Sequence, residues 1–235
     1  MKRFFVLLAV LGLLIPAGTH TWKYYIHSST PAIVPAAVYS VNTLVLDAGH
    51  GGEDGGAVSL SGAPESQINL AIVREMEDIL ALYGTAPIML RREDKSLHDP
   101  SCATLREKKV SDLKNRVSII NGIEKATLFS IHQNSYPDSR YHGAQVFYAP
   151  TDGSQALAAH IQAALAHSLQ PDNTREIKAI PDNVYLMNHI NCRGVLIECG
   201  FLTNPEEEQL LQNTAYQRKL AAVLSSAWLT SGEVA

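Results

Sequence analysis

The chain has 235 residues, of which 46% are hydrophobic and 18% charged, an ordinary globular composition with enough length for one sizeable core. Its formal net charge is -4, and no long run of like charges occurs anywhere in it. A nucleic-acid-binding protein would carry a basic footprint, which this composition excludes. We therefore expect one main domain and no nucleic-acid partner.

The N-terminus departs from this average composition. Two basic residues precede an uninterrupted apolar stretch over residues 4–15, a pattern typical of an export signal. The stretch is shorter than the roughly 20 residues of a membrane-spanning helix, and no clean cleavage site follows it. We interpret residues 1–20 as an export signal, either cleaved or kept as a membrane anchor. Residues 21–41 are interpreted as a tether and residues 42–232 as a catalytic domain that works outside the cytoplasmic membrane.

The first predicted elements of that domain are a strand, a helix and a second strand. The apolar residues 44–46 run into a glycine-rich stretch that contains His50, as expected of a buried strand followed by a sharp loop. Apolar residues at steps of three and four predict an amphipathic helix over residues 65–82, which Gly84 would cap. Residues 86–90 read as the next strand. Strand, helix and strand in this order indicate a parallel sheet.

The middle of the chain repeats the first pattern. Residues 92–110 are polar and irregular, and a second helix is expected to begin at Ser111 as its N-cap and to run to Lys125. Residues 127–131 form another short apolar run, and this one stops at His132. A second predicted strand therefore leads to a histidine.

The remaining elements complete an α/β fold. A third apolar run, residues 195–197, leads to Glu198. The other expected elements are strands over residues 143–148 and 184–187, a serine-capped helix over 154–170, a short helix over 206–211 and a last helix over 216–229. We predict a single domain with a mainly parallel, twisted sheet and helices on both faces.

Three strands thus lead to His50, His132 and Glu198, and the carboxyl ends of parallel strands lie along one edge of a sheet. Glu65 opens the helix that follows the first loop and is a fourth candidate, although an acid in a first helical turn is also favoured by the helix dipole. Two histidines and one carboxylate are a standard ligand set for a catalytic zinc, which leaves the second glutamate as base. By spacing alone, ordinary loop and helix residues explain the pattern equally well.

Five motifs in the same order are more specific: DAGHGG at 47–52, ES-x-x-NL at 65–70, L-x-x-R at 113–116, SIHQN at 130–134 and IECGFLTNPEE at 197–207. Together they resemble the zinc-dependent N-acetylmuramoyl-L-alanine amidases of the amidase 3 family. These enzymes cut the amide between muramic acid and L-alanine in peptidoglycan. The resemblance extends from residue 43 to residue 229.

The resemblance implies a role for each matching residue. One Zn²⁺ would be bound by His50, Glu65 and His132, and Glu198 would be the catalytic glutamate. Ala48 stands where the family usually has proline, and Ser66 where it commonly has lysine, which places loop rigidity and local charge in question. The short chain, the N-terminal apolar segment and the YLMNH run at 185–189 are most similar to the germination-specific amidases of the spore cortex, which prepare muramic acid for lactam formation.

Other residues and functions stay open at this stage. Asn134, His142 and His189 are weak candidates for substrate contacts, and Arg116 is interpreted as pairing with an acid at the surface of its helix. Peptidoglycan is the expected substrate, and an activating protein partner is left unidentified. The same ligands would serve another peptidoglycan zinc hydrolase, a peptidase or a deacetylase. A non-catalytic wall-binding module is the alternative of a different class.

Overall fold

A six-stranded sheet forms the centre of the protein in a computed structural model that describes residues 42–232. The strand order is β2-β1-β3-β6-β4-β5, and neighbours are parallel except for β4 and β6, which are antiparallel. The strands are β1 (Thr43–Ala48), β2 (Ile88–Met89), β3 (Ala126–Asn134), β4 (Gln145–Tyr148), β5 (Lys178–Ala179) and β6 (Arg193–Phe201).

Helices cover both faces of this sheet. They are α1 (Glu65–Leu82), α2 (Leu105–Asn121), α3 (Ser154–Ser168), α4 (Tyr185–His189), α5 (Pro205–Gln212) and α6 (Thr214–Thr230). Helices α1, α3 and α6 pack on one face in a core that includes Met76 and Trp228. Helices α2 and α4 pack on the other face, around Ile120 and Met187. The predicted α/β domain with a mainly parallel sheet is confirmed.

The two long helices before β3 differ in how well their sequences predicted them. Helix α1 has the predicted bounds, and Gly84 follows it with a φ of 73°. Helix α2 begins before the predicted N-cap, because Thr104 forms a capping box with Glu107. The hydroxyl of Ser111 instead accepts a hydrogen bond from the backbone N–H of Asp99. The excursion that was expected to reach residue 110 therefore ends at residue 104.

Three further predictions were wrong in detail. Residues 184–187 were expected to form a strand, but Tyr185–His189 is the short helix α4, and a short apolar run fits either structure. Ser154 does not cap α3, since Gly153 is the N-cap and the Ser154 hydroxyl accepts from the N–H of Gly194. Strand β2 is shorter than the predicted residues 86–90.

The predicted export signal and tether, residues 1–41, lie outside the described residues. Between residues 42 and 232, no helix is long and apolar enough to cross a membrane.

Candidate metal centre and active-site cleft

The sheet register brings two of the predicted site residues side by side. His132 on β3 lies opposite Glu198 on β6, and Glu198 lies opposite Gln145 on β4. Residues directly opposite each other in neighbouring strands point to the same face, so these three side chains form one row. The strands were predicted to stop at His132 and Glu198, but they continue to Asn134 and Phe201. Both side chains lie in the last part of their strands, on the face that α2 and α4 cover.

The structure brings His50, Glu65 and His132 together. One potential ligand atom from each lies within 4.8 Å of the others. The Glu65 carboxylate lies between the imidazoles, with Oε2 3.4 Å from His50 Nε2 and Oε1 2.9 Å from His132 Nδ1. Two imidazole nitrogens and one carboxylate around a common point form a donor set that can hold a metal ion.

The loop after β1 has little room for side chains other than His50. His50 has a φ of 64°, an uncommon conformation for a residue other than glycine. A Cβ at Gly49 would lie 2.2 Å from the imidazole Cε1 of His132, so this position admits no side chain while His132 keeps its place. Gly49 thus lets the two histidines approach each other, and their ring centroids are 5.1 Å apart.

Two buried arginines fix the backbone of this loop. Arg91 donates to the carbonyl oxygens of Ala48, at 2.8 Å, and of Gly49, at 3.0 Å. Arg116 donates to the carbonyl oxygens of Ala48, at 3.2 Å, and of His50, at 2.8 Å. Guanidinium groups therefore hold the carbonyl oxygens of three successive residues, the last of which is His50.

Arg116 is also the centre of a buried ionic cluster. It pairs with Asp47 on β1 and, at 2.7 Å, with Asp112 one helical turn before it on α2. Asp47 accepts in addition from the Ser130 hydroxyl at 2.7 Å. Arg116 was expected at the helix surface but is only 1% exposed, because it lies between α2 and the sheet and pairs with an acid on each of them.

Neighbouring groups keep Glu65 ionised and in place. Its carboxylate accepts hydrogen bonds from the N–H groups of Ala57 and Gln133 and from the Asn69 amide. Burial alone would raise the pKa of Glu65, but the hydrogen bonds and charges of His132 and His50 outweigh burial and hold the pKa well below its usual range. The carboxylate is therefore an anion at neutral pH.

Asp54 is a further acid at the site, on the far side of His50. Its Oδ2 lies 3.0 Å from His50 Nδ1, which leaves the Nε2 of that ring facing Glu65. Burial lowers the pKa of His50, but the hydrogen bonds to Asp54 and Glu65 outweigh burial and raise the pKa to about 10. In the metal-free protein His50 is therefore protonated at neutral pH, and a metal ion must displace that proton.

Glu198 has a different environment from Glu65. Its Oε2 is buried and, within residues 42–232, has no hydrogen-bond partner. Burial raises the pKa of Glu198 to about 7, with His132 opposing and the charge of Glu65 adding to the rise. A carboxyl group with a pKa near neutrality can both accept and return a proton.

An open cavity gives access to the two histidines. It has a volume of about 340 Å³, and its lining includes His50, His132, Lys109, Tyr185 and Leu196. Helix α4, which was predicted as a strand, thus supplies one wall of the cleft.

The three weak candidates lie in different places. Asn134 ends β3, and its carbonyl oxygen accepts from the N–H of Leu202. His142 is exposed and lines a second cavity, with Arg175. His189 stacks on Tyr185 with a centroid distance of 3.9 Å, and its Nδ1 lies 2.8 Å from the carbonyl oxygen of that tyrosine. None of the three belongs to the histidine and glutamate cluster.

Several groups that support the cluster were not predicted from the sequence. Asp54 carries a local signal, since it follows His50 by four residues and its backbone bridges to Gly51 across the turn. Asn69 carries a similar signal, since it follows Glu65 by four residues on α1. Arg91 and Gln133 carry none, because only the tertiary fold brings them to the loop and to Glu65.

Comparison with known proteins assigns the chain to a family. The sequence profile of the amidase 3 family, described as N-acetylmuramoyl-L-alanine amidase, matches residues 44–227. A germination-specific N-acetylmuramoyl-L-alanine amidase of Bacillus subtilis is 37% identical over 180 residues, which span 76% of this chain and 75% of that protein.

Solved structures show the same relationship. The CwlD amidase of Clostridioides difficile, in complex with the GerS lipoprotein, matches with a TM-score of 0.76 and 38% identity over 80% of this chain and 96% of that one. The catalytic domain of CwlV, an amidase from Bacillus (Paenibacillus) polymyxa, matches with a TM-score of 0.68 and 26% identity over 83% and 99% of the two chains. The chain therefore belongs to the N-acetylmuramoyl-L-alanine amidase family.

Proposed function

We propose that this protein is a zinc enzyme that hydrolyses the amide between N-acetylmuramic acid and L-alanine in peptidoglycan. The observation that carries this proposal is the placement of Glu198 beside His132, at the edge of a donor set of two imidazoles and one carboxylate. His50, Glu65 and His132 would hold the metal. When bound, zinc acts as a Lewis acid towards the scissile carbonyl and lowers the pKa of water.

The chain's own residues would manage the protons of the reaction. Glu198, with its pKa of about 7 and a buried Oε2, would take a proton from the attacking water and deliver one to the leaving amine of L-alanine. Glu65 would stay an anion throughout, because its neighbours hold its pKa low. The two glutamates would therefore divide the tasks of ligand and base according to their surroundings.

The proposal is tested by metal analysis and product analysis of one purified preparation. We expect about one zinc per chain and, from purified peptidoglycan, free stem peptides with an L-alanine amino terminus. Shortened stem peptides would indicate a peptidase, released acetate a deacetylase, and no product from the metal-loaded protein a binding module. Each of these results would contradict the proposal.

The similarity to germination-specific enzymes supports a role in the spore cortex. We propose that the enzyme removes stem peptides there so that muramic lactam can form, after export directed by residues 1–20. The solved structure of one relative is a complex with a lipoprotein, which supports a protein partner of that kind here. Cortex peptidoglycan should therefore be cleaved faster than vegetative peptidoglycan, and equal rates on the two would contradict the cortex role.

Asp54 offers a test of the metal centre that leaves the proposed ligands intact. Asp54→Asn should weaken zinc binding by about 10- to 100-fold, because the carboxylate orients His50 and raises the basicity of its ring. Zinc titration by competition with a chromogenic chelator measures the effect. Asp152→Asn, an exposed position, is the matched control and should bind zinc like the wild type. Equal zinc affinity in the two variants would remove Asp54 from the support of the metal.

A further inference from the structure

Arg175 lies in the loop between α3 and β5 and is held against the sheet. Its guanidinium group stacks over the ring of Phe201, with 4.9 Å from Cζ to the ring centroid. Its Nη2 donates to the side-chain oxygen of Gln145, and the Gln145 amide donates to the carbonyl oxygen of Glu176 at 2.7 Å. The Asn173 side chain accepts from the N–H of Arg175 at 3.0 Å. The arginine is therefore fixed by both its backbone and its side chain.

The register of the sheet places this arginine next to the site. Gln145 lies opposite Glu198, on the side of β6 away from His132. The register between β3 and β6 shifts after His132, so that Phe201 lies opposite Asn134. Neighbouring strands are about 4.8 Å apart, which places Gln145 about 10 Å from His132. The row of side chains runs from His132 through Glu198 to Gln145. Arg175 contacts Gln145 and therefore lies next to the end of this row.

The guanidinium group of Arg175 has no ion-pair partner among the described residues. Its buried Nε has no hydrogen-bond partner within residues 42–232, and the charges of Glu207 and Glu198 act on the group without forming an ion pair. Arg140 lines the same cavity but pairs with Asp138 at 2.6 Å and is exposed to solvent. The cavity has a volume of about 410 Å³, which is enough for one or two residues of a peptide. A fixed cation without an ion-pair partner therefore lines an open cavity.

We propose that Arg175 and this cavity form a subsite for a carboxylate of the stem peptide. The inference rests on the proposed amidase function, because the distances are counted from the scissile amide. An extended peptide advances about 3.3–3.6 Å per residue, so a carboxylate on the second or third residue after that amide would lie about 7–10 Å from it, a span comparable to the row from His132 to Gln145 that Arg175 continues. An arginine binds a carboxylate through charge-assisted hydrogen bonds from its guanidinium group. Arg175 is thus a specificity-determining residue.

The test uses two matched muramoyl dipeptides that differ only in whether the α-carboxyl group of the second residue is free or amidated. The wild-type enzyme should cleave the free acid with a kcat/KM about 10- to 100-fold higher than the amide, as expected for a hydrogen bond to a charged group. Arg175→Met should abolish this preference by slowing the free acid alone. Arg140→Met is the matched control and should keep the preference. Binding of the two uncleaved compounds to the Glu198→Gln variant, measured by calorimetry, should show the same preference.

The outcomes distinguish a failure of the proposed function from a failure of the proposed subsite. If the wild-type enzyme cleaves neither compound nor peptidoglycan, the proposed function fails. If it cleaves both compounds at equal rates, the function stands and the subsite is wrong. If Arg175→Met slows both compounds equally, the arginine acts through the field at Glu198 rather than on the peptide, and the subsite is again wrong.

Discussion

Replacement of Glu198 by glutamine should reduce kcat by about 10²- to 10⁴-fold while the zinc content stays that of the wild type. Glutamine keeps the shape of the side chain but cannot accept the proton of the attacking water. The side chain is not one of the three clustered donors, so metal binding should not depend on it. Product release from peptidoglycan and metal analysis of the same preparation measure the two effects.

The same substitution should change how the stability of the metal-free protein depends on pH. Burial raises the pKa of Glu198 from 4.5 to about 7, so between these values the folded state binds the proton more tightly than the unfolded state. The free energy of unfolding of the wild type therefore falls as the pH rises through this window. The difference between the two pKa values corresponds to about 3 kcal/mol of the free energy of unfolding, which the wild type loses as the pH rises. Glu198→Gln lacks this loss, so its stability relative to the wild type should be greater at pH 8 than at low pH.

Urea unfolding at pH 5 and pH 8 in the presence of a chelator measures this difference. Glu206→Gln is the matched control, since Glu206 is exposed on α5, and its stability should follow that of the wild type. Parallel stability curves for the wild type and Glu198→Gln would show that burial does not hold the proton on Glu198. Cleavage at the native rate would remove Glu198 from the chemistry.

Replacement of Arg116 by methionine should destabilise the protein by about 3–5 kcal/mol, the cost of leaving a buried charge without its partner. Asp47 is 1% exposed and Asp112 is 8% exposed, so both carboxylates would lose the charge of their partner while they remain largely buried. Zinc affinity should fall as well, because Arg116 donates to the carbonyl oxygen of His50.

Two companion variants make this result specific. Arg218→Met removes an arginine that pairs with Glu75 at the surface, and it should cost less than about 1 kcal/mol. Adding Asp47→Asn to Arg116→Met removes one uncompensated charge and should recover part of the loss. Urea unfolding measures all three proteins. If Arg116→Met unfolds like Arg218→Met, the buried cluster contributes nothing beyond a surface pair.

The sequence predicted the fold class well where periodicity was strong. The apolar steps of residues 65–82 gave a helix with the observed bounds, and the short buried strands gave a mainly parallel sheet. The five ordered motifs predicted the family, which the comparisons confirm. The convergence of His50, His132 and Glu198 was predicted from one geometric rule about strand ends, whereas Glu65 was a separate candidate at the start of a helix. The roles of His50, Glu65 and His132 as ligands stay predictions.

Other features depend on contacts between residues far apart in the chain. The register shift that places Phe201 opposite Asn134 has no counterpart in a pattern of apolar residues. A short apolar run such as residues 184–187 suits a strand or a helix equally, and only packing on the sheet selects the helix. Arg91 and Arg116 have the polarity of surface residues, yet their partners are backbone carbonyls and acids of other elements.

The arginines that hold the first loop affect which residues position 48 can accept. Every residue type contributes the same carbonyl oxygen, and it is this oxygen of Ala48 that Arg91 and Arg116 bind. A proline at position 48 would restrict the backbone by fixing its own φ angle. In this chain, hydrogen bonds from arginines of a neighbouring loop and helix restrict it. Position 48 therefore does not need proline to keep the loop in place. The core around it limits the size of its side chain. The carbonyl contacts of the two arginines therefore do not depend on which side chain stands at position 48.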